Sequence, residues 1–123
     1  FVFYDSDGND RTSDLLNGKI LLIIAYDLAK ANIEIQALLA ETTAGVARSG
    51  VSVNGLTSSG WEEIEAFRHE HQLGFDHFQG DGTTLKTIVR STPGLLALDN
   101  GEVIGKWHYN DMPSVDELIS ILR

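Results

Sequence analysis

His69-Glu70-His71 is the first grouping in the chain able to do chemistry, because imidazole and carboxylate side chains are ligands for zinc and related metals. His77 and Asp81 follow closely. The spacing argues against a shared ion. On a helix, a common metal takes histidines one turn apart, at i and i+4. Residues two apart diverge by about 200° at roughly 3.6 residues per turn. His71 falls on a face with Trp61, Ile64 and Phe67, and His69 points elsewhere, so neither a metal nor any other cofactor is expected. Asp5-Ser6-Asp7-Gly8-Asn9-Asp10 has the composition of a calcium loop, but such a loop places Gly sixth and Glu twelfth. Here Gly is fourth and the twelfth residue is Leu16, which predicts a solvated turn. Gly80-Asp81-Gly82 lacks the Gly-Lys-Ser/Thr of a phosphate-binding loop. No Gly-x-Ser-x-Gly nucleophile elbow occurs.

The chain contains no cysteine. Disulfides, thiolate nucleophiles and thiolate-bound metals are therefore excluded together. Tyr26, Asp27, Thr92 and His108 are further polar candidates. They offer hydroxyl, carboxylate and imidazole groups for acid–base work, but the sequence pairs none of them as nucleophile and base.

These groups must be positioned by one domain. The 123 residues, 42% hydrophobic and 22% charged, suit a single core over 1–123. The net charge is −9, and the nine Lys and Arg are scattered along the chain. An acidic surface repels phosphate backbones, so no nucleic-acid partner is expected. No apolar run approaches the ~18 residues of a membrane span, so this segment is not expected to insert in a membrane. The chain starts at Phe1 and its single Met is Met112. It is therefore expected to be part of a longer product.

Residues 1–19 read as a polar lead-in with a turn at Asp7-Gly8. Residues 20–25, ILLIIA, are apolar at every position, the pattern of a strand covered on both faces. Ile35, Leu38, Leu39, Thr42 and Val46 share one helical face, which Gly50 closes. Residues 51–56 read as a second strand. Ser59 and Glu62 match a capping box that opens a helix buried through Trp61, Ile64, Phe67 and His71 and ended by Gly74. A short helix is predicted over 84–89, before Pro93. Residues 95–98 form a third apolar strand, and Asn100-Gly101 signals a hairpin returning through 103–109. Ser114 and Glu117 form a second capping box, opening a helix with Val115, Leu118, Ile119 and Leu122 on one face. Strands joined by helices are expected to be parallel neighbours, with 20–25 central between 51–56 and 95–98.

This order, with a Thr-Pro step before the third strand, resembles the thioredoxin-like superfamily. The resemblance is carried by ILLIIAYDLAKAN, by RSTPGLLALDNGEVIGKW and by the closing helix, and it runs over essentially the whole chain. The stretches TSDLLNGKILLI and FDHFQGDGTTLKTIVRSTPG are similar to the branch that holds TlpA, ResA and the peroxiredoxin-type domains. The resemblance implies an α/β three-layer sandwich, a mixed central sheet with helices on both faces. It places the family's two redox cysteines at Ala29 and Asn32, a flanking aromatic residue at Leu28, and a buried polar residue at Ile23. None of the four is kept, and four changed positions speak against a deliberate cysteine knockout. Pro93 matches the family's cis-proline. What the resemblance leaves is a redox-inactive groove of Tyr26, Asp27, Leu28, Ala29, Asn32, Thr92 and Pro93. It implies a module for a protein or peptide, or for another domain of its parent. It also implies the soluble, extracytoplasmic part of a bacterial cell-envelope protein, periplasmic in setting, with a membrane-anchored parent. Non-thiol chemistry at Tyr26, Asp27 or His108 is the alternative, and a purely structural domain is a third.

Overall fold

The computed structural model describes residues 2–123, so Phe1 lies outside the described residues. A five-stranded sheet forms the middle layer, comprising β1 (Lys19–Ile24), β2 (Ser52–Thr57), β3 (Asp76–Gln79), β4 (Gly94–Asp99) and β5 (Glu102–His108). Its order is β3-β2-β1-β4-β5. The helices are α1 (Thr12–Leu15), α2 (Gln36–Arg48), α3 (Trp61–His71), α4 (Gly82–Ile88) and α5 (Val115–Leu122). The expected α/β sandwich with a mixed sheet is the observed architecture.

The alternation of a strand sorts the apolar run of β1 onto two faces. Leu21 and Ile23 point into a core built with Leu39 and Val46 of α2 and with Leu118 and Leu122 of α5, and Phe67 of α3 packs against it. Ile20, Leu22 and Ile24 point the other way, into a core with Leu15 of α1 and Leu85 of α4. Every residue of the run is buried because both faces are covered, as the sequence pattern requires. β1 is central, paired parallel with β2 and flanked by β4 on its other side.

Two expectations about the sheet need correction. β4 runs antiparallel to β1, not parallel. The chain first lays down β3, parallel to β2, and then returns through α4 and residues 89–93 from the opposite end. β3 itself was not anticipated, because DHFQ carries a polar His at a buried position. His77 is buried by stacking on Phe75, with ring centroids 5.0 Å apart. The lead-in is also less solvated than its composition suggests. Phe3 is buried, and Tyr4 bridges to Gln79 at the edge of β3.

Several local signals act as predicted. Asn100 and Gly101 both take positive φ, 49° and 84°, between β4 and β5. The Ser114 hydroxyl accepts from the Glu117 amide and starts α5. Asp5 accepts from the Asp7 and Asn9 amides in the turn at Gly8. Others differ. The residue in left-handed conformation after α3 is Gln72, not Gly74. Leu38 is 49% exposed, because the buried stripe of α2 runs through Gln36, Leu39, Thr42, Thr43 and Val46.

Candidate functional site

β1 ends at Ile24, and the chain then forms a corner held by its own polar groups. The Tyr26 carbonyl accepts from the Ser58 amide and the Ser58 hydroxyl at the end of β2. The Asp27 carboxylate accepts from the Ala29 amide and caps a single 3₁₀ turn, Leu28–Lys30. The Asn32 side chain accepts from the Ile35 amide, and buried Gln36 donates to the Asn32 carbonyl, joining the corner to the first turn of α2.

Ser59 has a different role from the one its sequence context suggests. α3 begins at Trp61 with Gly60 before it, and no side chain caps that end. The Ser59 hydroxyl instead accepts from the buried Leu28 amide at 2.9 Å. Removing it leaves that amide without a partner, at a cost of about 1–3 kcal/mol. Ser59→Ala is therefore expected to lower the unfolding midpoint and to speed hydrogen exchange at the Leu28 amide. An unchanged Leu28 exchange rate would show that the contact does not hold the turn.

Residues 26–32 meet the loop before β4. The Thr92–Pro93 peptide bond is cis. The Asn32 amide donates to the Thr92 carbonyl at 2.8 Å. The Thr92 carbonyl is therefore satisfied within the chain. The seven groove residues are thus brought to one place, though not all at the surface. Leu28 and Pro93 are buried and support the corner from beneath. Tyr26, Asp27, Asn32 and Thr92 are half-buried, and Ala29 is exposed. Ile33, which sequence reasoning passed over, projects beside Asn32 with 60% of its surface exposed. Its only sequence signal is that it stands outside the apolar stripe of α2.

A shallow groove of about 320 Å³ lies on one side of the corner, between Leu28, Ala29, Ile33, Glu63, Phe67 and Glu70. On the other side a groove of about 520 Å³ runs along α4, lined by Tyr26, Thr83, Lys86, Thr87, Val89 and Arg90. Ile23, beneath the corner, is 3% exposed in an all-apolar setting.

The acid–base candidates are not combined. Among the described residues no hydrogen bond joins Tyr26, Asp27 and His108. Asp27 holds the 3₁₀ turn, while His108 accepts from the Asn110 amide and packs on Tyr109. No group of three or more metal-binding side chains converges among the described residues. His77 is stacked in the core, and His71 lies against Phe67.

The comparisons with known proteins address the architecture. No protein-family model matches the sequence, and none of the curated proteins matches it. Solved structures do. A thiol:disulfide interchange protein from Bacteroides sp. is 15% identical with a TM-score of 0.68, over 98% of this chain and 82% of its own. StoA from Bacillus subtilis is 12% identical with a TM-score of 0.66, over 100% of this chain and 96% of its own. The fold is thioredoxin-like. A secreted Mycobacterium tuberculosis disulfide oxidoreductase, homologous to DsbE of E. coli, is 16% identical with a TM-score of 0.63, over 99% of this chain and 93% of its own. At these identities the likeness establishes the thioredoxin-like fold alone. The chain has that fold with no cysteine, so it offers no thiol for disulfide exchange.

Proposed function

We propose that this thioredoxin-like domain is a binding module that holds a protein or peptide at the corner of residues 26–33 and 92–93. The observation that carries the reading is the combination of an internally braced corner with an outward apolar side chain. Asn32, Asp27, Ser58 and Ser59 fix the backbone, and Ile33 is then presented to solvent at 60% exposure. A rigid platform carrying an exposed apolar residue suits docking, because little ordering entropy remains to be lost on association. The partner is a protein, a peptide or another domain of the parent chain.

The setting we propose is extracytoplasmic, as the soluble part of a larger cell-envelope protein with a membrane anchor elsewhere in the parent. The resemblance to TlpA-type domains and the secreted character of one structural neighbour support it. Among the described residues no helix is long and apolar enough to cross a membrane.

A photoreactive residue at Ala29, compared with one at exposed Ala47 of α2, tests the reading in the full-length protein. The expected result is crosslinking of a protein or of a parent domain from position 29 and not from position 47. Crosslinking of the same partner from position 47 alone would overturn it.

A further inference from the structure

Four of the nine basic residues, dispersed in sequence, gather on one side of the corner. The ammonium of Lys86 lies 4.7 Å from the Tyr26 ring centroid, and that of Lys30 lies 5.8 Å from it. Arg90 lines the same groove as Tyr26 and Lys86. It also lines the adjoining groove of about 340 Å³, together with Lys106, Trp107 and His108. All four cations are exposed, and among the described residues none of them forms an ion pair. Asp27 and Asp81 accept from the Ala29 and Thr83 amides as caps of the 3₁₀ turn and of α4, and among the described residues neither forms an ion pair with these cations. The groove on the far side of the corner carries the opposite sign, with Glu63 and Glu70.

We infer that the partner presents an acidic segment, whose carboxylates meet Lys30 and Lys86 beside the Tyr26 ring and Arg90 and Lys106 in the groove that adjoins it. The inference rests on the corner being a docking site and adds the chemistry of what docks there. A chain of net charge −9 that leaves four cations without ion pairs, two over the Tyr26 ring and two along the adjoining grooves, has a local field opposite to its overall field. Charge complementarity then favours a short anionic stretch and speeds its encounter. A long polyanion such as nucleic acid extends past the patch into acidic surface. Screening over about 10 Å at 0.1 M salt does not protect it there. A single small anion is poorly served, because the cations sit on open groove walls and do not converge on one buried point.

The test uses the purified protein with three synthetic probes, a Glu/Ser peptide, a Gln/Ser peptide and a Lys/Ser peptide, followed by amide chemical shifts. The Glu/Ser peptide is expected to shift amides of Lys86, Arg90, Lys106 and residues 26–33, and the other two are not. Raising salt from roughly 20 mM to roughly 200 mM should weaken that binding. Lys86→Glu with Arg90→Glu, both on exposed positions, should weaken it roughly tenfold or more without changing the unfolding midpoint appreciably. Absence of shifts with the Glu/Ser peptide, or equal affinity of the double variant, would overturn the inference. Equal affinity for free glutamate would overturn it in favour of a small-anion site. Binding of Gln/Ser as tightly as Glu/Ser at residues 26–33 would leave the docking corner standing and remove its acidic specificity. Shifts confined to Lys86, Arg90 and Lys106, with residues 26–33 silent, would keep the acidic partner and remove the corner.

Discussion

Between its ordinary value of 6.5 and about 4, the pKa of His77 is expected to draw stability out of the protein as the pH falls. Burial of the imidazole is the main cause of the lowered value, and the nearby Arg68 charge adds to it, while Asp76 opposes. The unfolded chain takes up a proton on this ring below pH 6.5, and the folded chain does not until about pH 4. Stability therefore rises with pH across that window and is fully present above it. The complete shift corresponds to about 3 kcal/mol at most. Urea unfolding at pH 7 and at pH 4.5 measures the loss. In His77→Phe, where a ring can still stack on Phe75, the dependence over this window should be much flatter. An unchanged slope would show that His77 is not the group responsible. Asp5 and Asp10 act in a separate window. Backbone amides of Asn9 and Asp7 bonded to Asp5, and the Thr12 hydroxyl and amide at Asp10, hold both carboxylates below their ordinary value. Their contribution is present above about pH 4 and is lost as the pH falls further.

The second large effect is expected at Gly55, directly under the same ring. Gly55 of β2 pairs with Ile23 of β1 and with His77 of β3. A Cβ added there would meet the His77 ring at 2.6 and 2.7 Å and the Phe75 ring at 2.9 Å. Both rings are packed in the interior, so neither can yield cheaply. Gly55→Ala is expected to cost about 1–3 kcal/mol, the range for overpacking a filled core. The same substitution should cost less in a His77→Ala background, because the nearest obstacle is gone and the Phe75 ring gains room to shift. A double-mutant cycle in urea measures this coupling. Additive losses would mean that the ring of His77 does not fill the space above Gly55.

This pair also explains why one strand escaped a sequence reading. A strand is recognised by β-branched or alternating apolar residues, and DHFQ offers neither. Of its two buried residues, the one facing Gly55 and Phe75 is a histidine, made acceptable by stacking on Phe75 and by the missing side chain of Gly55. Once β3 is unseen, the direction of β4 is misread as well, since two helix-linked steps are taken for one. By contrast, residues 20–25 announced their central place, because a short β-branched-rich run that is apolar at every position suits a strand covered on both faces. Asn100-Gly101 and Ser114 were legible because their chemistry is local. Ser59 was not, because its hydroxyl had two possible amides to serve, and the one it serves is on Leu28, far away in sequence.

The candidate site divides in the same way. Residues 26–32 and 92–93 were brought together by the resemblance, and the bond from the Asn32 amide to the Thr92 carbonyl confirms their contact. That the same bond satisfies the Thr92 carbonyl could not be read from residue types. Neither could the cationic rim. Lys30, Lys86, Arg90 and Lys106 look scattered until the fold places them along two adjoining grooves that begin at Tyr26.

The central claim is that the thiol-free corner is a docking surface. Its most direct measurement is hydrogen exchange of the full-length protein, alone and with the partner captured from position 29, at matched pH and salt. The account predicts slowed exchange at residues 26–33 and 92–93 and in the exposed turn of α4 beside Tyr26, with α2 and α5 unchanged. Protection confined to α2 and α5 or to the outer edge of β5, with residues 26–33 exchanging as in the free protein, would contradict it.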